Sequence, residues 1–143
     1  MTKNIIAKLS LTGLLAITPA FAQNLATATI PFDFTVGQTK MTAGAYTVRS
    51  IVPGAIQVVR DDSKASVFVI TNGVQASQAP KGTSLVFNRY GDSYFLAQLW
   101  IAGNQLGKQL PKSKPEMEVA RAAGSVRQAS VTANPNNTLT SSR

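Results

Sequence analysis

The chain reads as all-β: a single small antiparallel β-sandwich or β-barrel of about six to eight strands, followed by a short C-terminal helix and a disordered tail. Three observations carry that expectation. Turn chemistry recurs about every eight to twelve residues between 25 and 102, the spacing of a sandwich or small barrel. The runs between the turns are rich in Val, Ile, Thr, Phe and Tyr, and several alternate apolar with polar residues. No helical period appears before residue 113.

Taken in order, Ala26-Thr27-Ala28-Thr29-Ile30 is β-compatible, and Pro31 confines it to an edge, a strand end or a bulge. Phe32-Asp33-Phe34-Thr35-Val36 alternates with the period of a half-buried strand, with Asp33 in the outward position. Gly37-Gln38 and Ala43-Gly44 are the next punctuation. Ala45 to Val52 places Tyr46, Val48 and Ser50 on one side and Thr47, Arg49 and Ile51 on the other. Pro53-Gly54 is a turn, because proline presets the first central torsion and glycine accepts a positive one. Ala55–Arg60 and Ala65–Thr71 flank the polar loop Asp61-Asp62-Ser63-Lys64 as a hairpin, ending at Asn72-Gly73. Residues 74–82 form a short strand plus loop. Thr83–Tyr90 and Ser93–Ala102 are the clearest pair, joined by Gly91-Asp92 as a type II′ turn.

After Gly107 the character changes. Ser113 caps a helix, Pro115 sits in its first turn, and Glu116 stands three residues after the cap. Met117, Ala120 and Ala123 share one face, and Gly124 is a natural stop. About ten residues are too few for an independent helix, so this one must pack on the sheet. The expected organisation is a leader over 1–22, a β-domain over 23–112, the helix over 113–124 and a disordered tail over 125–143. Asn136-Asn137-Thr138 matches a glycosylation sequon, which carries little weight in a chain read as bacterial.

The leader is the firmest functional statement. Lys3 and Lys8 make a basic start, Leu9 to Ile17 form a short apolar core, and Ala20-Phe21-Ala22 offers small residues before a cut ahead of Gln23. That is the layout of a cleaved signal peptide, and the apolar core is too short for a membrane span. The protein is therefore expected to be exported, to the periplasm or outside the cell. The chain has no cysteine, so the exported domain relies on packing rather than disulfides, as a bacterial setting allows.

Charge and composition narrow the chemistry. Without Lys3 and Lys8, 12 basic residues face six acidic ones, a net charge of +6. Residues 81–143 hold eight of the basic residues, which suggests attraction to anionic surfaces such as wall polymers, lipid head groups or nucleic acid, although ordinary solubility charge on an exported protein is the preferred reading of the excess. The chain has no histidine, which removes the usual general base, the histidine triads and, with cysteine absent, ordinary zinc sites. No metal, cofactor or catalytic residue is expected. Paired carboxylates leave a hydrolase formally open, with Asp33 as the one carboxylate inside an apolar stretch. Asp61-Asp62-Ser63 lacks the alternation of a calcium loop and reads as a hairpin loop. Lys112-Ser113-Lys114 is a basic step before the helix start.

The final hairpin offers the candidate binding surface. Its turn sets Arg89 across from Tyr94, Phe87 from Leu96, and Thr83 from Trp100, with Gln98 on the same side. Arg89, Tyr90, Tyr94 and Trp100 would then form an aromatic platform for a sugar, glycan or partner chain, with Arg89 over Tyr94 as a cation–π contact. A central strand buried on both sides is the competing reading of the same residues.

Pro31-Phe32-Asp33-Phe34-Thr35-Val36-Gly37, Ala43-Gly44-Ala45-Tyr46-Thr47-Val48 and Phe87-Asn88-Arg89-Tyr90-Gly91-Asp92-Ser93-Tyr94-Phe95-Leu96 form a pattern that continues through Leu110-Pro111-Lys112-Ser113. On these segments Gln23 to Ala123 resembles a group of small exported bacterial β-rich proteins without an assigned activity. The resemblance implies an exported β-domain and carries no site residue. The leading expectation is an exported, non-enzymatic β-domain that binds or supports something in the envelope or outside the cell. Its partner would be a glycan, an anionic envelope polymer or another protein, with nucleic acid disfavoured. A self-associating structural subunit and a carboxylate-dependent hydrolase are the alternatives. An outer-membrane barrel is disfavoured, because eight strands of about ten residues would nearly exhaust the exported chain.

Overall fold

Alternation along the strands sorts side chains into an apolar inner set and a polar outer set, and two inner sets meet as a β-sandwich. The structure, a computed structural model, describes residues 23–135. The expected leader over 1–22 and the last eight residues of the expected tail, with the sequon, lie outside the described residues.

In chain order the strands are β1 (Gln23–Ile30), β2 (Phe34–Val36), β3 (Thr39–Met41), β4 (Gly44–Val52), β5 (Ala55–Arg60), β6 (Ser66–Ile70), β7 (Asn72–Gln75), β8 (Ser84–Tyr90), β9 (Ser93–Trp100) and β10 (Leu106–Gln109). The helix α1 (Lys114–Ala123) comes next, then β11 (Arg127–Thr132) and β12 (Asn134–Pro135). One sheet, sheet I, runs β12-β1-β4-β5-β6; the other, sheet II, runs β11-β8-β9-β10-β7. The short β2–β3 hairpin joins sheet II where β2 pairs parallel with β9 at Phe95. The sheets do not close on each other, which decides for the sandwich over the barrel.

The turns match their chemistry. Gly54 takes φ 83° as the second central residue between Val52 and Ala55, and Gly91 takes φ 59° as the first between Tyr90 and Ser93. Both conformations are cheap only without a Cβ. Ser113 caps α1 by accepting a hydrogen bond from the Glu116 N–H at 3.4 Å, and Gly124 ends it in the left-handed region.

Sheet I contributes Ala26, Ile30, Tyr46, Val48, Ile56 and Val58 to the core; sheet II contributes Leu85, Phe87, Leu96 and Leu99. Phe87 is fully buried where aromatic rings cross. Phe32 meets it edge-on at 5.0 Å and Phe34 at 5.4 Å, and Phe34 in turn meets Tyr46 at 5.0 Å. The Tyr46 hydroxyl donates to the Thr42 carbonyl at 2.6 Å, so its polar end is satisfied at the sandwich rim.

Three expectations change. Residues 127–135, expected as tail, form β11 on β8 and β12 on β1. Ala129 and Val131 pack on the core and Ala133 is buried, with its N–H donating to the Thr83 carbonyl. Those inward residues are small and sparse, so their value appears only once β8 and β1 supply the other half of the ladder. Asn72-Gly73, expected only as the end of the preceding strand, already belongs to the next one: the chain crosses at Thr71 from sheet I to sheet II and continues as β7 on β10. Met117 faces solvent at 43% exposure, and the helix instead turns Glu116, Val119 and Ala120 toward the sheet. A buried glutamate takes the place that apolar spacing assigns to methionine.

Phe87→Ala should destabilise the domain by about 3–5 kcal/mol, because a cavity would open where three aromatic rings converge. Urea unfolding followed by circular dichroism checks this; a loss below about 1 kcal/mol would contradict a core organised around that ring.

Candidate functional site

The outer face of sheet II holds the candidate site, and a single extra residue in β9 creates it. Phe87 pairs with Leu96 but Val86 pairs with Gln98, so Ala97 is left over as a β-bulge. Before the bulge, Tyr94 and Leu96 face the core. After it the sides exchange: Leu99 pairs with Leu85 inside, while Gln98 and Trp100 face out with Val86 and Ser84.

The bulge parts Trp100 from Arg89 and Tyr94, and ordinary strand alternation parts Tyr90 from Arg89, so the four residues of the expected platform are separated. Arg89 does lie opposite Tyr94, with its guanidinium carbon 5.3 Å from the ring centroid, and its Nε donates to the Gly91 carbonyl at 2.8 Å. The other face of Tyr94 is stacked on Phe32 at 3.8 Å. Tyr90 is buried on the opposite side of the sheet, edge-on to Phe95 at 5.9 Å. Trp100 pairs with Ser84, one residue from the expected Thr83, and also faces out. No common platform forms.

On the outer face, α1 covers one end through Glu116, which is only 3% exposed. Its Oε1 accepts from Asn88 Nδ2 at 2.8 Å and from the Tyr90 hydroxyl at 3.1 Å. The expected capping role of this carboxylate is therefore half realised: Ser113 holds the Glu116 amide, while the Glu116 side chain fastens helix to sheet. Burial first, then the charge and the hydrogen bond of Glu116, raise the Tyr90 phenol above its ordinary value of 10.0.

Beyond the helix the face stays open. One row crosses four strand pairings as Ser130, Val86, Gln98, Gln109 and Asn72, from β11 to β7. A groove of about 370 Å³ takes in the Gln98, Gln109 and Asn72 part of this row, lined by the amides of Asn72, Asn88, Gln98, Gln109 and Gln128 and by Lys112, with no carboxylate among its lining residues. Trp100 lies beside this row with its six-membered ring across Gly107. A Cβ at Gly107 would stand 2.6 Å from the ring, so only glycine lets the indole lie there. The indole N–H donates to Gln98 Oε1 at 3.0 Å.

Two of these amides have no choice of orientation. An indole N–H only donates, so Gln98 must present its oxygen to Trp100 and keep its NH₂ free. Glu116 Oε1 accepts from Asn88 Nδ2, which commits the Asn88 NH₂ to the helix and leaves its carbonyl free. The groove thus carries a fixed donor and a fixed acceptor beside a half-buried indole. Gln98 is legible in the hairpin; Asn88, Gln109, Gln128 and Asn72 are not, because only the strand order brings them together.

The carboxylates gather elsewhere. Asp33, Asp92 and Glu118 line a groove of about 620 Å³ between α1 and the β2–β3 hairpin, with Lys40 on its rim. Asp33 precedes β2 rather than pointing outward within it, and its Oδ1 accepts the Ala43 N–H at 2.9 Å, holding the turn before β4. Among the described residues no group of three His, Cys, Asp or Glu side chains could hold a metal ion, and no helix is long and apolar enough to cross a membrane. Asp61 and Asp62 serve the hairpin loop, where Asp61 accepts from Thr47 and Asp62 from the Lys64 N–H. Lys112 and Lys114 are exposed beside the helix start.

No family model, no curated protein and no solved structure matches the chain.

A raised Tyr90 value in the folded state means that the phenol's contribution is fully present below about pH 10 and is lost as pH rises through the raised value. The urea midpoint should therefore fall on the alkaline side of that window. Tyr90→Phe should flatten the fall while costing about 1 kcal/mol at neutral pH. An unchanged alkaline profile in Tyr90→Phe would locate the titrating group elsewhere. Glu116→Leu, which strands Asn88 and Tyr90, should cost about 1–3 kcal/mol for each group left unpaired.

Proposed function

We propose that the protein is an exported binding domain, without chemistry of its own, that takes a glycan chain along the outer face of sheet II. The expected leader supports export. The observation that carries the reading is Trp100 laid across Gly107 and tied to Gln98, beside a groove of amides whose free donor and acceptor are fixed. Sugar hydroxyls both donate and accept, and side-chain amides answer both demands without the cost of burying a charge. The indole offers an apolar, polarisable surface for the C–H faces of a sugar ring. Lys112 on the groove and the basic C-terminal half favour an acidic polymer over a neutral one.

A row of side chains at fixed strand spacing also suits a polymer better than a compact ligand. The row from Ser130 to Asn72 crosses five strands, and adjacent strands lie about 4.8 Å apart, so it spans several sugar units.

Trp100 is the one tryptophan of the chain, so its emission reports on the site directly. Titration with acidic and neutral oligosaccharides should shift or quench that emission, with acidic chains binding more tightly at low salt and losing that advantage as salt rises. Trp100→Ala and Gln109→Ala should each weaken binding measured by calorimetry, the former at least about tenfold, which is ~1.4 kcal/mol. Silent emission and no heat across the panel, or full binding by Trp100→Ala, defeats the proposal.

A further inference from the structure

Sheet edges expose backbone hydrogen-bonding groups that natural proteins normally shield, and the strands at the edges of this sandwich are shielded unequally. β12 has two residues and ends in Pro135; β3 has three and contains Lys40; β11 begins with Arg127 and is polar; β7 is Asn-Gly-Val-Gln. β6 is different. Its sequence Ser-Val-Phe-Val-Ile has no charge, no proline and no bulge in its pairing with β5. Its outer side chains Phe68 and Ile70 are 65% and 70% exposed, and its inner side chains Val67 and Val69 are only half-buried against the core. Among the described residues no strand lies beyond it in sheet I.

We propose that β6 is a homodimer interface, where a second copy of this chain adds its own β6 antiparallel across a two-fold axis at Phe68. An isologous contact requires a surface complementary to itself. β6 meets that condition in its side chains. Read outward from Phe68, the flanking residues are valine in both directions, so antiparallel pairing sets Val67 against the partner's Val69 and Phe68 against the partner's Phe68. Ser66 then faces the partner's Ile70. The inner valines complete each other's cover at the open flank of the core, and the phenylalanines meet as a cross-strand aromatic pair.

Electrostatics point to a second copy rather than a charged partner. The chain carries a net charge of +8, so two copies repel over most of their surface. Between Lys64 and Lys81 no residue is charged, and β6 lies inside that neutral stretch. In the two-fold register Lys64 comes opposite the partner's Asn72, so no like charges meet. A pairing of five residues buries less than the ~1,600 Å² of a standard stable interface, so the dimer forms reversibly and with concentration.

The absence of cysteine gives a test of register as well as of association. In sedimentation velocity the purified protein should move from monomer toward dimer mass between micromolar and millimolar concentration, while Phe68→Lys stays monomeric with an unchanged melting temperature. Under mild oxidation Phe68→Cys should cross-link to itself at least about tenfold faster than Ile70→Cys, because only residues at the axis bring their Cβ atoms within disulfide reach. A monomer throughout the range, a dimer indifferent to Phe68→Lys, or equal cross-linking by the two cysteine variants would each overturn the assignment. The glycan face lies on the other sheet, so Trp100 emission in Phe68→Lys keeps the two proposals separable.

Discussion

The extra residue at Ala97 is the constraint on which the rest of the structure depends. A strand without it would carry one side of Tyr94–Trp100 inward along its whole length, with Tyr94, Leu96, Gln98 and Trp100 together. Gln98 and Trp100 would then enter a core that offers the indole and the amide no partners, while Leu99 would face water. The bulge reverses the sides after Leu96. Leu96 and Leu99 both reach the core, and Phe95 lies outside near the helix with Tyr90. Gln98 and Trp100 are left on the open part of the outer face. One backbone irregularity thus fills the core and exposes the candidate site at the same time.

The second constraint is the buried Glu116 carboxylate, whose desolvation is offset by two hydrogen bonds from different positions on β8. A ten-residue helix is too short to persist alone, and its apolar residues are few. Its position therefore rests on polar contacts that admit one geometry, where a greasy interface would admit several. That fixed geometry matters to the groove, because Asn88 answers Glu116 with its NH₂ and presents its carbonyl to the open face. The helix orients a groove residue although it contributes little to the groove itself.

Most strands of 26–102 and the helix with both its caps are legible in the sequence, since turn residues and period-two alternation are local properties. Pro53-Gly54 and Gly91-Asp92 behave as their chemistry requires. What escapes is non-local. Arg127–Thr132 has only Ala129 and Val131 to bury, too weak a signal until β8 stands beside it. The bulge at Ala97 leaves no mark in the residue pattern, because Phe95, Leu96, Ala97 and Leu99 look the same in either register. Without that one residue, the pattern sets Trp100 on the side of Arg89 and Tyr94, whereas the fold places it on the other face; Tyr90 is parted from Arg89 by strand alternation alone. Trp100 and Gln98 do share a face, but their companions there are amides that strand order alone assembles. Glu116 reads as a cap because capping spacing is local, whereas its partners Asn88 and Tyr90 lie 28 and 26 residues away.

The two proposed surfaces gain meaning from their separation. The glycan face belongs to the outer side of sheet II and the pairing edge to the flank of sheet I, so neither occupies the other. Two-fold pairing at β6 would present two such faces on one particle. A polymer offers many equivalent sites, and the second engagement on the same chain would be intramolecular, at a high effective concentration. Weak individual contacts of amides and one indole would then suffice for retention on a repeating envelope polymer, and a reversible dimer would make that retention depend on local protein concentration. Such a device needs neither a deep pocket nor a catalytic group. It is consistent with a cysteine- and histidine-free chain whose polar side chains serve turns, helix anchoring and an open face.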